Sequence, residues 1–370
     1  MKIAFWSSAL VIVYAYVGYP LVLLLLRIFI HRPVRKSPIE PYVTLVVPAY
    51  NESRVIEAKI CNAASLDYPA DKLEVLIASD GSSDGTVEVA GKLSDGNRIR
   101  VLAFPQNRGK ISVLNDAVRE ARGEIVVFSD ASAILKSDAI RQLVANFADP
   151  KVGAVSGIYR VQHASGARSG SQEEIYWKYE TFLRMQESSL ASTLGGHGQI
   201  LGVRKDLYPY PAPGTINDDF VIPVRVLAGG RRAVYEPLAI AFEEASEMVG
   251  FQRRVRIMAG NMQQLREMKG LLWPPQPLPL LFFFSRKVVR SATPFFLVCL
   301  AVSNCFLLRQ GFYQLTEWCQ LIFYGLALSG SRWQLKPRVL RLPYYFCFVN
   351  FAYLWSMYQL LQGRGKVRWK

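Results

Sequence analysis

The sequence predicts an α/β fold with a mainly parallel central sheet, held between apolar helices at the two ends of the chain. Three observations carry this. Apolar, β-type runs alternate with helix-like segments between residue 43 and about residue 147, and strands separated by helices imply right-handed crossovers and parallel neighbours. Ile3 to Phe29 is almost wholly apolar and, at 27 residues, long enough to span a bilayer. Further apolar stretches fall near 291–308, 312–330 and 342–361.

Each element follows in order. A cleaved signal peptide has a shorter apolar core and a small-residue cleavage site, neither of which is evident, so residues 1–30 are expected to stay as an anchor. "HRPVRKSPIEP" (31–41) is a basic, proline-rich linker. "VTLVV" (43–47), "LEVLIA" (73–78), "IRVLAF" (99–104) and "EIVVF" (124–128) read as strands. Helix-like segments lie near 52–64, 84–94, 109–121 and 137–147. The alternation then loosens: 171–190 reads as one long helix, 218–230 as a short one ending on glycines, "RRAVYEP" as a strand and 249–269 as a basic helix leading to the membrane. The expected organisation is an anchor (1–30), a linker (31–41), one α/β domain (42–269) and a membrane region (270–370) with two to three transmembrane helices.

The formal net charge of +15 raises the question of nucleic acid, and its distribution removes it. Residues 42–269 are neutral overall, whereas 1–41 carry +4 and 270–370 carry +11. Basic residues that flank apolar spans fit the positive-inside pattern and anionic lipid headgroups. Four of the five cysteines (Cys299, Cys305, Cys319, Cys347) lie in apolar C-terminal segments without a CxxC pair, so no disulfide framework or zinc site is implied. Three histidines leave little room for histidine-based chemistry.

Polar signals cluster where strands end or helices begin: "VVPAYNE" (46–52), "SDGSSDGT" (79–86), "FSDAS" (128–132) and "NDDF" (217–220), with Arg108 and Lys110 of "NRGK" at a helix start that already favours anions. Ligands of open α/β sheets bind outside the carboxyl ends of the strands. Carboxylates there, beside a basic loop, suit a nucleotide diphosphate held with a divalent cation. Any one of these pieces also reads as a helix cap or turn; their joint order is the more specific signal.

In that order the motifs resemble the family 2 glycosyltransferases with a GT-A fold, in particular the membrane-anchored group of chitin, hyaluronan and cellulose synthases. The resemblance covers about residues 43–260 and the flanking apolar segments. It implies a GT-A nucleotide-sugar-binding domain in which Asp80 contacts the uracil or ribose. Pro48, Tyr50, Glu52 and Lys110 match other nucleotide-sugar-binding positions. Asp130 matches the first aspartate of the family's DxD element and is the implied metal ligand, with Mg2+ or Mn2+ as cofactor; Ser132 stands where the second acid is expected. Asp219 matches the general base, with Asp218 beside it. "GGHGQILGVR" (195–204) matches the acceptor side, with His197 and Gly198 as candidate contacts. "FQRRVRI" (251–257) resembles the QxxRW element that closes the pocket: Arg256 takes the arginine position near the diphosphate, Arg253 replaces the glutamine and Ile257 the tryptophan. A basic interfacial helix is the alternative there, and helix capping the alternative for Asp218 and Asp219.

The resemblance implies an inverting transfer of sugar from a nucleotide-sugar, with UDP expected, to a hydroxyl of a lipid-linked or growing glycan in polysaccharide biosynthesis. Implied partners are the donor, that acceptor, membrane lipids and polysaccharide-assembly proteins, with no nucleic acid. A polyprenyl-phosphate sugar transferase and an inactive transferase-like scaffold of an export system are the alternatives. Because Arg27 to Lys36 follow the anchor and Lys2 alone precedes it, the expected location is a multi-pass protein of the inner or plasma membrane with its catalytic domain in the cytoplasm.

Overall fold

The computed structural model describes residues 1–162, 171–244, 251–332 and 338–362. Its sheet is built from β1 (Val43–Ala49), β2 (Leu73–Asp80), β3 (Ile99–Phe104), β4 (Ile125–Phe128), β5 (Ile134–Leu135), β6 (Val152–Gln162), β7 (Leu201–Arg204) and β8 (Arg232–Glu244), in the spatial order β3-β2-β1-β4-β7-β6-β8-β5. The first four strands are parallel, as expected. β1 and β2 are buried along their whole length, which is why they read as continuous apolar runs.

The second half of the sheet is mixed, and the mixing positions the site. β7 runs antiparallel to β4, with Leu201 opposite Phe128, so the loop entering β7 lies beside the carboxyl end of β4. β8 runs parallel to β6 and antiparallel to β5, with Phe242 opposite Ile134. It is a 13-residue strand where the sequence suggests only "RRAVYEP". Pro237 lacks an N–H for the ladder, and the register with β6 shifts between Ser156 and Ile158 where β8 passes that residue. Beyond the irregularity the strand resumes and carries Glu243 back towards the carboxyl ends of the parallel strands.

Helices cover both faces. Ile56–Ala64 and Ala139–Val144 pack on one side; Lys110–Glu120 and Asp218–Ala228 pack on the other. A third apolar cluster joins the domain to its flanking helices: Tyr19 and Leu23 of the N-terminal helix and Phe282 and Phe283 of the C-terminal region meet Leu183, Leu190 and Phe220. The linker 31–41 lies against the domain. The Arg32 N–H donates to the Ser189 carbonyl at 3.0 Å, and the Lys36 ammonium pairs with the buried Glu236.

Among the described residues two helices are long and apolar enough to cross a membrane, Lys2–Phe29 and Pro277–Cys305. The second begins well before the expected residue 291 because it continues back through the charged turn Arg286–Arg290 into the domain. Helices also form at Gly311–Arg332 and Leu342–Leu361, where spans were expected. Gln314, Glu317 and Gln320 lower the hydropathy of the first, and Asn350 with four tyrosines lowers that of the second.

Candidate active site

Loops from four elements meet at the carboxyl ends of β1, β2 and β4. Pro48 is buried inside β1, opposite Ala78. The missing N–H is tolerated because the pairing of β1 with β4 has already ended at Val46 and Phe128. Tyr50 follows, partly exposed at the strand end. Asn51, left-handed at φ 56°, joins this turn to the next: its side-chain oxygen accepts the Ser83 N–H at 2.9 Å and its own N–H donates to Ser82 Oγ at 3.1 Å. Asp84 strengthens the joint, accepting the N–H groups of Ser53 (3.0 Å) and Thr86 (3.1 Å). The second aspartate of "SDGSSDGT" is therefore a turn-builder.

The first aspartate is built differently. Asp80 is fully buried, and its two oxygens accept the backbone N–H groups of Arg108 and Gly109, each at 2.8 Å. It shapes the basic loop from below. Gly81 makes this approach feasible: its φ is +70°, and a Cβ there would stand 2.7 Å from the Asn107 nitrogen. The same loop turns Arg108 outward, onto Asp116 at 2.8 Å and the Phe104 ring at 4.3 Å. Lys110 points inward.

Lys110 is the hub. Its ammonium contacts Asp130 Oδ1 at 2.9 Å and Asp218 Oδ2 at 3.3 Å, tying the end of β4 to the start of the helix Asp218–Ala228. Burial disfavours the charge on Lys110, but the two carboxylates outweigh it and hold the pKa above the ordinary lysine value. The glycine-rich loop closes the space between them. The Gly196 N–H donates to the Asp219 carbonyl at 2.7 Å, and a Cβ on Gly198 would lie 3.3 Å from Asp130 Oδ2 and 3.6 Å from Lys110 Nζ. Asp219 is partly exposed, and among the described residues no protein group donates a hydrogen bond to its carboxylate. Its pKa is pushed up to about 6, first by desolvation and then by Asp218, against the pull of Arg184, Lys110 and Lys287.

The surroundings of Asp130 have a composition the sequence did not reveal. Ser132 Oγ donates to Glu243 Oε1 at 2.7 Å, and Gln199 Nε2 holds the other oxygen at 3.2 Å. Glu52 stands in the same field: its pKa is raised by burial and then by Asp130, Asp84 and Glu243. Behind Asp130 lies Lys59, fully buried, donating to Ser129 Oγ at 2.6 Å, its pKa pushed down to about 7 by burial. Lys59 had a sequence signal, since Ile56, Lys59, Ile60 and Ala63 form the inward stripe of one helix. Glu243 had none, because its approach depends on the irregular path of β8.

His197, expected near an acceptor sugar, lies buried. Its Nε2 is 2.8 Å from the Tyr235 hydroxyl, and burial lowers its pKa well below the usual histidine value. The basic helix is Phe251–Gln264, with Arg256 partly exposed; the side chains of Arg253 and Ile257 lie outside the described ones. This helix is docked on the loop before Asp218, where Gln263 accepts the Ile216 N–H at 3.1 Å and Asn217 reaches Asn261 at 3.5 Å.

Strand order and site together define a nucleotide-binding α/β domain whose acidic loops converge on one lysine. Residues 44–208 match the glycosyl transferase family 2. The chain thus carries a glycosyl transferase family 2 domain, and the fold is GT-A. The solved mannosyltransferase PcManGT from Pyrobaculum calidifontis, in complex with GDP-Man and Mn2+, superposes with a TM-score of 0.70 at 26% identity, covering 95% of this chain and 99% of that one. Poly-beta-1,6-N-acetyl-D-glucosamine synthase of Staphylococcus aureus (strain COL) is 29% identical over 229 residues, 60% of this chain and 55% of the relative. The Staphylococcus epidermidis protein of that name is 26% identical over 230 residues. The chain spans about half the length of the curated relatives it matches.

Proposed function

We propose that this protein is an inverting glycosyltransferase that moves a sugar from a nucleotide-sugar to a hydroxyl of a lipid-linked or growing glycan. The observation that carries the reading is Lys110, which touches Asp130 and Asp218 at once and so sets donor and base sides within one side chain's reach. Asp219, adjacent to Asp218 and with its pKa near the physiological range, takes the acceptor proton as the hydroxyl oxygen attacks the anomeric carbon. The bond from that carbon to the diphosphate oxygen breaks with inversion, and the nucleotide diphosphate departs. Lys110, at the start of its helix, and Arg256 face the charge that develops on the leaving group.

A divalent cation suits the donor set. Asp130, with the Ser132 hydroxyl and the Glu243 carboxylate paired nearby, offers oxygen ligands, and Glu52, raised first by burial, also feels the negative charges of Asp130, Asp84 and Glu243 that a cation would offset. Among the described residues no group of three or more His, Cys, Asp or Glu side chains is placed to hold a metal ion, so these residues would supply only one or two of its ligands. One or two carboxylates completed by substrate phosphates is the usual arrangement for magnesium. When bound, the cation neutralises the departing diphosphate. The Mn2+ and GDP-Man in the related mannosyltransferase structure support this reading. Asp80 and Pro48, both buried, and Tyr50 shape the nucleotide end; Gly198 admits the acceptor side. His197, whose ring is held by Tyr235, acts as a packing group.

We place 1–30 and the helix from Pro277 in a membrane, 42–269 as the catalytic domain on the cytoplasmic side, and 270–370 as the C-terminal membrane region. The two apolar helices and the basic residues after the first support this. The test is to incubate membranes with a panel of radiolabelled UDP- and GDP-sugars, alongside membranes carrying Asp219→Asn. Label should pass into the lipid or glycan fraction from one donor and be lost in the variant. Absence of transfer from every donor would overturn the assignment.

A further inference from the structure

One inward side chain of the helix Ile56–Ala64 breaks its pattern. Ile56, Ile60 and Ala63 are apolar and buried, as a face turned to the sheet requires, but Lys59 on that face is buried as completely. Its Nζ donates to Ser129 Oγ at 2.6 Å and to the Ala133 carbonyl at 2.5 Å. Both acceptors are neutral, and the anion that acts on Lys59 is Asp130. A buried amine is costlier to keep than a methionine of similar length unless its N–H groups hold something. What they hold is the turn that presents Asp130.

That turn alternates. Ser129, Ala131 and Ala133 are buried, whereas Asp130 and Ser132 are partly exposed, the one on Lys110 and the other on Glu243. Lys59 binds its first and last residues, and the Ala133 N–H closes it on the Asp130 carbonyl at 3.1 Å. Ser129 passes the constraint on. Its own proton goes to the Gln199 carbonyl at 2.7 Å, so its hydroxyl accepts from Lys59. Gln199 holds one oxygen of Glu243 while Ser132 holds the other. One helical turn beyond Lys59, Asn62 grips the backbone of Leu135, donating to its carbonyl at 2.9 Å and accepting its N–H at 2.8 Å. Leu135 lies in β5, which pairs with Ala241 and Phe242 just before Glu243. Lys59 and Asn62, neighbours on one helix face, thus fix the backbone that carries Asp130, Ser132 and Glu243.

Resting on the donor-site reading above, we propose that Lys59 is the positioning residue of the cation–diphosphate end of the site, acting through Ser129 and the 129–133 turn, with Asn62 as the second anchor. Fully buried, Lys59 touches neither sugar nor nucleotide. Its effect falls on cation affinity, because a shift of the turn moves Asp130 and Ser132 together. Asp219 stands on a separate helix and keeps its place.

The experiment uses the full-length protein in detergent. Mn2+ binding is followed by paramagnetic resonance with UDP and, in parallel, GDP present, and sugar transfer is measured against Mn2+ concentration. Lys59→Met keeps the length of the side chain and removes both donors. It should weaken Mn2+ binding by about 10- to 100-fold, the usual effect of losing a group that orients a metal ligand. Half-saturating Mn2+ for transfer should rise by the same factor, with kcat returning towards the parent's at high Mn2+. Ser129→Ala cuts the link at its second step and should act in the same direction, and the double variant should bind Mn2+ about as well as Lys59→Met alone. Circular dichroism reports the fold; if Lys59→Met does not fold, Ser129→Ala decides. A merely structural lysine would lower the folded fraction and leave half-saturating Mn2+ unchanged, and that result would overturn the assignment. So would a parent that binds no Mn2+ with either nucleotide. If Lys59→Met keeps the parent's Mn2+ affinity while Asp219→Asn still abolishes transfer, the clamp fails and the glycosyltransferase reading stands. If the variant loses Mn2+ affinity but the parent transfers sugar from no donor, that reading fails and the clamp stands.

Discussion

Replacing Asp219 by asparagine removes the proton acceptor and keeps the shape of the side chain. Among the described residues no protein group donates a hydrogen bond to this carboxylate, so the substitution leaves no partner stranded. The Asp219 carbonyl still accepts from Gly196, so the glycine loop stays in place. Loss of a general base costs about 10²- to 10⁴-fold in rate. The expected result is a fall of that size in kcat, with nucleotide affinity within about twofold of the parent. A pH profile gives a second, independent reading. The pKa of Asp219 is raised to about 6, and the base works only when deprotonated, so activity is full above that pH and falls on acidification. At pH 5 about one-eleventh of the sites remain ionised, so the rate should drop to roughly that fraction of its plateau. Asp218 contributes to the raised value, so Asp218→Asn should shift the acid limb to lower pH. The assay is transfer of radiolabelled sugar at saturating donor, run from pH 4.5 to 8 with binding measured in parallel. Near-parental activity in Asp219→Asn, or a profile flat through pH 5, would refute the assignment of this residue as the base.

Further outcomes follow from the same geometry. Lys110→Met removes the cation that Asp130 and Asp218 share, so thermal stability should fall by about 3 kcal/mol and donor affinity should drop; differential scanning fluorimetry with and without nucleotide checks both. Glu243→Gln should weaken Mn2+ binding several-fold and Ser132→Asp should tighten it, read by Mn2+ paramagnetic resonance in the presence of nucleotide diphosphate; unchanged binding in both variants would remove them from the cation site. Gly198→Ala places a methyl group 3.3 Å from Asp130 Oδ2, so it should lower activity with little effect on unfolding temperature. Arg286→Met strands one oxygen each of Glu187 and Glu180 in a buried setting and should cost about 3–5 kcal/mol, measured by unfolding in detergent.

The framework is written in local pattern. Continuous apolar runs mark β1 and β2 because a strand covered on both faces needs no polar side, and the helices between them force a parallel order. Asp130, Asp219 and Lys110 were legible because each sits at a strand end or helix start, positions set by local pattern. The two apolar helices were legible by length. What these residues do for one another is set by how distant elements pack. Asp80 and Asp84 look alike in the sequence, yet one is buried under the 108–109 backbone and the other joins two turns. That difference arises from loops separated by some thirty residues meeting in space. Glu243 reaches Ser132 across 111 positions, through a strand whose register changes near Pro237. Arg286, Lys287 and Arg290 read alike as a basic flank, but Glu180 and Glu187 pair with the two arginines while Lys287 lies over the Phe220 ring. Periodicity encodes which face of an element is buried; which charges meet there depends on the packing of distant elements, and that packing is where the chemistry of this site is set.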